Sequence, residues 1–90
     1  MNKQRLSPDY LQKLGERLRL IRSILRYDQK DMSDALETAQ SQVSKIEAGK
    51  AGPTLYQLLR LKRVMEEHPD LRDVPWEWLL DGKGKVTVRG

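Results

Sequence analysis

The stretch DQKDMSDALETAQSQVSKIEAGK, Asp28 to Lys50, decides the fold. Asp28 is a strong helix N-cap, and Asp31, in the turn that follows, suits the positive end of a helix dipole. Met32, Ala35 and Leu36 then recur at helical steps, so a short helix is predicted from Gln29 to about Leu36. Glu37–Thr38–Ala39 is left as a tight connection. Val43 and Ile46, three apart, define the inner side of a next short helix from about Gln40 to Ala48, which Gly49 stops.

Working outward, an amphipathic helix precedes this pair. Leu11, Leu14, Leu18, Ile21 and Leu25 recur at steps of three and four between Pro8 and about Arg26. Ser7 is a suitable cap, and Pro8 suits the first helical position, where its missing N–H is harmless. Gly15 costs such a helix about 1 kcal/mol relative to Ala; it reads either as a close helix contact or as a tolerated flaw. On the other side, Thr54 caps a fourth helix carrying Leu55, Leu58, Leu59, Leu61 and Val64, which ends before His68–Pro69. Pro75 starts a fifth through Leu80. Val86 and Val88 alternate with polar residues, which fits a short strand pairing with a second copy or a frayed end. The expected organisation is a flexible N-terminus over 1–6, one domain over 7–82 and a C-terminal tail over 83–90.

Composition narrows the function. With 38% hydrophobic residues, 90 residues support one modest core. No apolar run approaches the roughly 20 residues of a membrane-spanning helix. There is no cysteine and a single histidine, His68, so neither thiolate chemistry nor a metal site is expected, and no cofactor. No nucleophile–base pair or glycine-rich phosphate loop is present, which argues against an enzyme. The net charge is +4. Its distribution is uneven: residues 1–30 hold Lys3, Arg5, Lys13, Arg17, Arg19, Arg22, Arg26 and Lys30 against Asp9, Glu16 and Asp28, whereas residues 61–90 are balanced. A polyanion is expected to meet the N-terminal third.

Two short helices joined by a three-residue turn are the arrangement that lets the second enter a DNA major groove. With Val43 and Ile46 inward, Ser41 and Lys45 point away, Gln42 and Ser44 lie on the flanks, and Gln40 sits at the N-terminal tip. Glu47 lies close to the inner face, an odd place for a carboxylate. The chemistry fits base edges: a glutamine amide matches adenine N6 and N7, serine serves as donor or acceptor, and lysine donates to guanine O6 and N7. The same residues also fit a helix face that meets only water, and the helix alone does not choose. Arg17, Arg19 and Arg26 on the first helix read either as contacts to flanking phosphates or as a solvated face.

The run LGERLRLIRSILRYDQKDMSDALETAQSQVSKIEAGKAGPTLYQLLRL resembles the helix-turn-helix domain of the Cro/phage-repressor (Xre) family. The resemblance rests on Gln29, Met32, Leu36, Val43, Ile46, Glu47-x-Gly49-Lys50 and Pro53-Thr54-Leu55. It covers over half the chain, and Trp76-Glu77-Trp78-Leu79-Leu80-x-Gly82 is similar to the fifth helix of many such regulators. It implies an all-α, five-helix lambda-repressor-like bundle and a cytoplasmic, nucleoid-associated regulator of a bacterium or phage. That regulator, most simply a repressor, would bind palindromic double-stranded DNA as a homodimer.

By the same resemblance Gln40, Ser41 and Lys45 touch bases, with Gln42 and Ser44 in support. Gln29 bonds a phosphate and braces Gln40. Lys50 and the N–H groups near Thr54 clamp a phosphate, and Arg22 pairs with Glu47. Trp76, Trp78, Leu79 and Leu80 are expected at a dimer interface, with at least one tryptophan in the core. Many short members are antitoxins, so a toxin partner is the alternative, with the tail Lys83–Gly90 as its candidate contact. Glu37 stands where the family usually has glycine, and Ser33 where it has alanine. Ala39 is a poor cap, which leaves Thr38 as the expected substitute.

Overall fold

Three helices, the first, second and fourth in chain order, start at a side chain that caps them. The computed structural model describes residues 7–84, in the order α1 Pro8–Leu25, α2 Gln29–Leu36, α3 Gln40–Glu47, α4 Leu55–Glu66 and α5 Trp76–Asp81. Ser7 Oγ accepts the Tyr10 N–H at 3.0 Å, ahead of Pro8. Asp28 and Asp31 form a reciprocal capping box at α2, and Thr54 and Gln57 another at α4. At α3 the cap is Ala39, not the expected Thr38, and no side chain bonds the free N–H groups there. Val86 and Val88 lie outside the described residues, as do residues 1–6. Among the described residues the chain is all-helical, and no helix is long and apolar enough to cross a membrane.

The core gathers one stripe from each element. Leu14, Leu18 and Ile21 come from α1, Met32 and Leu36 from α2, Val43 and Ile46 from α3, Leu61 and Met65 from α4, and Leu79 from α5. Leu71 and Val74, from the turns between α4 and α5, close its base. The inward phase of α4 differs from the leucine pattern in the sequence. Leu58, Leu61, Lys62 and Met65 face the core, while Leu59 turns outward and Leu55, at the overhanging first turn, is 81% exposed.

The helices that matter for function are fixed by close backbone approach. Gly15 is buried where α1 crosses the end of α3. A methyl group there would sit 2.7 Å from the Glu47 carbonyl oxygen and closer still to that of Ile46. Gly49, at φ +77, presses on the Gln12 backbone, where an added Cβ would lie 2.8 Å from Cα. Of the two readings of Gly15, close contact is therefore the correct one. The C-terminal end of α3 is seated on α1 because glycine leaves room on both sides.

Candidate nucleic-acid interface

α3 divides into a fastened face and an open one. Val43 and Ile46 are each 2% exposed. Its side-chain hydrogen bonds gather at Glu47: Arg22 Nε–H donates to Oε2 at 2.6 Å, Arg22 Nη2–H to Oε1 at 3.1 Å and Gln29 Nε2–H to Oε1 at 3.2 Å. Arg22 Nη1–H also reaches the Tyr27 carbonyl at 3.0 Å. The two charged side chains retain only 17% and 6% of their exposure. One carboxylate thus ties α1, α2 and α3 together, and its position on the inner side of α3 follows from that bidentate partner.

Opposite this clamp, Gln40, Ser41, Ser44 and Lys45 are exposed and Gln42 is half-buried. Among the described residues these five side chains keep their donors and acceptors for solvent. Gln29 does not brace Gln40. Its amide Nε2–H donates instead to Glu47 Oε1, a carboxylate oxygen that also accepts from Arg22.

The flanking residues sort by whether their donors are already engaged. Lys50 and Arg19 are exposed. Thr54 is exposed as well, but its N–H donates to Gln57 Oε1 at 2.9 Å and its Oγ accepts the Gln57 N–H at 3.0 Å. The open first-turn donors of α4 are therefore those of Leu55 and Tyr56, not that of Thr54. Arg17 does not face outward toward phosphates: its Nε–H donates to the Leu79 carbonyl at 3.1 Å, so it holds the end of α5. The Tyr10 hydroxyl holds the neighbouring Leu80 carbonyl.

The turn between α2 and α3 carries the sequence's main departure from its resemblance. Glu37 adopts φ 57 and ψ 50, the left-handed region that favours glycine. Its carboxylate accepts the Tyr56 hydroxyl at 2.9 Å and lies 3.4 Å from Arg60 Nη2. Arg60 Nε–H donates to the Ala35 carbonyl at 3.1 Å, meeting an otherwise open acceptor in the last turn of α2. The bond to Glu37 is also what raises the Tyr56 pKa above its ordinary value of 10.0, with burial a smaller cause. Ser33 is buried and returns its hydroxyl to the Lys30 carbonyl at 2.7 Å.

At α5 the four residues expected at a dimer interface separate. Trp76 and Leu80 are exposed at 40% and 36%, and Trp78 is partly buried against the core. Leu79 is fully buried and has no surface to give a partner, since its position on the short helix faces α1 and the core. Lys62, which sequence reading passed over, is 7% exposed. Its Nζ donates to the Val74 carbonyl at 2.6 Å and lies 5.2 Å from the centre of the Trp76 ring. Its only sequence signal is its place on the leucine stripe of α4, where a long aliphatic stem fits.

Two short helices at a three-residue turn, the second with an anchored inner face and an open polar one, define a helix-turn-helix DNA-binding domain. The family model described as a helix-turn-helix domain matches residues 15–85, and the chain belongs to that family. This agrees with the Xre-like resemblance of the run quoted above. No curated protein and no solved structure matches the chain.

Proposed function

We propose that the chain is a sequence-specific, double-stranded DNA-binding regulator, acting by binding and not by catalysis, that places α3 in the major groove. The observation that carries this is the division of α3. Everything that anchors the helix lies on one side, and Gln40, Ser41, Gln42, Ser44 and Lys45 stand together on the other. Gln40 and Ser41, at the N-terminal tip, read base edges, with Lys45 one turn behind and Gln42 and Ser44 beside them. Lys50, Arg19, Gln29 and the first turn of α4 at Thr54 supply phosphate contacts, which set register and salt dependence.

The exposed rings and side chains of Trp76 and Leu80, flanked by Trp78, support a homodimer through α5. Two copies would read half-sites about 34 Å apart, or one helical turn, on a palindromic operator. Occlusion of a promoter makes such a protein a repressor.

An electrophoretic shift with a matched operator tests the assignment. Gln40→Ala and Ser41→Ala are each expected to weaken binding to that operator by about 1–3 kcal/mol and to relax preference at one base position. Lys50→Ala is expected to weaken all sequences alike and to flatten the salt dependence. Undiminished operator binding by both Gln40→Ala and Ser41→Ala contradicts the proposal.

A further inference from the structure

The two ends of α3 are held by different means. The C-terminal end is seated on α1 at Gly15 and Gly49 and clamped by Arg22 through Glu47. The N-terminal end, which carries Gln40 and Ser41, has no side-chain cap at Ala39, and its first inward residue is Val43. What reaches the turn before it comes from α4. The Tyr56 hydroxyl and the Arg60 guanidinium both meet the Glu37 carboxylate, and Arg60 also holds the Ala35 carbonyl. Glu37 is the residue at which the backbone passes through φ 57, so its conformation sets the direction in which the chain leaves α2 and enters α3.

We infer that Glu37, held by Tyr56 and Arg60, is a positioning residue for DNA readout: it fixes the angle at which Gln40 and Ser41 are presented. The inference rests on the DNA-binding function proposed above. Stability alone does not account for the arrangement. The Arg60 and Glu37 side chains are 35% and 51% exposed, and ion pairs that open to solvent contribute little to folding. Tyr56 is itself 54% exposed. A solvent-exposed tie across a left-handed turn therefore serves geometry more than cohesion. Because base contacts depend on placement to a fraction of an ångström, whereas phosphate contacts tolerate movement, loosening the tie is expected to reduce discrimination between sequences before it reduces DNA binding as such.

The test uses Glu37→Gly and Tyr56→Phe in the full chain. Glycine adopts the left-handed turn without strain, so Glu37→Gly removes the tie while the turn remains accessible, and Tyr56→Phe removes only an exposed hydroxyl. Thermal unfolding checks that both stay folded. A preferred sequence is first selected with the wild-type protein from a random duplex library. Affinities for that sequence and for a scrambled duplex are then measured at one salt concentration.

Both variants are expected to retain affinity for the scrambled duplex within about twofold. Their ratio of preferred to scrambled affinity should fall by at least about fivefold, since misplacing one good base contact forfeits on the order of that much. If the wild type selects a sequence and both variants keep its ratio within twofold, the positioning role is overturned and the DNA reading stands. If the wild type selects no sequence, the DNA reading fails and takes the positioning role with it.

Discussion

Replacing Glu47 by alanine should unfold this domain more readily than any surface substitution. Glu47 accepts three hydrogen bonds from two side chains, and 6% of its side chain is exposed. Removing it leaves the Arg22 guanidinium, 17% exposed, with only the Tyr27 carbonyl as partner, and leaves the Gln29 amide without an acceptor. Breaking one side of a buried ion pair costs about 3–5 kcal/mol, and the residual exposure of Arg22 places this case near the lower end, at about 3 kcal/mol. For a domain of this size each kcal/mol lowers Tm by roughly 4–8 °C, so Glu47→Ala should lose about 12 °C or more.

The double variant Arg22→Met/Glu47→Leu removes both charges and fills the same space. It should be much less destabilised than the sum of the single changes. Urea unfolding of the four proteins, followed by helical circular dichroism, gives the coupling. Single-variant losses below about 1 kcal/mol, or strict additivity, would refute the idea that this pair ties the three helices together.

Three further outcomes follow from separate contacts. Gly15→Ala gains about 1 kcal/mol of helix propensity but forces a methyl group against the Ile46 and Glu47 carbonyls. Those atoms belong to backbone and yield poorly, so a net loss of about 2 kcal/mol is expected in urea unfolding. Lys62→Met leaves the Val74 carbonyl without its donor and should cost about 1–3 kcal/mol, with a shifted tryptophan emission reporting the change around Trp76. The Asp28 carboxyl is held below its ordinary value of 3.8, chiefly by the Asp31 N–H. A depressed carboxyl stabilises the fold fully above its unfolded value and loses that contribution as pH falls through the folded one. Wild type should therefore lose stability more steeply than Asp28→Asn below about pH 4, and the two should be similar at pH 7, where both residues cap; a pH series of unfolding midpoints reads this difference.

Most of the helical frame was legible because its signals are local. Asp28 and Asp31 announce α2, Thr54 announces α4, and Gly49 ends α3 within the span its neighbours set. The misplacement of Glu47 relative to the polar face of α3 was legible too, since angular position on a helix needs only the sequence. Contacts across long separations were not. Nothing near Arg17 in the chain says that its guanidinium will meet the carbonyl of Leu79, and Leu79 reads as an interface residue until the fold buries it. The inward stripe of α4 was not legible for a related reason: it depends on α2, against which α4 packs, and Met65 and Lys62 take places that Leu55 and Leu59 do not. Glu37 is intermediate. The sequence flags it as a side chain where a left-handed turn is expected, but its compensation by Tyr56 and Arg60 lies nineteen or more residues away.

Selection of duplex DNA from a random library by the wild-type protein asks whether α3 reads sequence at all. A single enriched motif is expected, made of two inverted half-sites about one helical turn apart and weakened at defined base positions by Gln40→Ala and Ser41→Ala. A library that emerges unenriched, with all sequences held equally and released together as salt rises, would contradict sequence reading by α3.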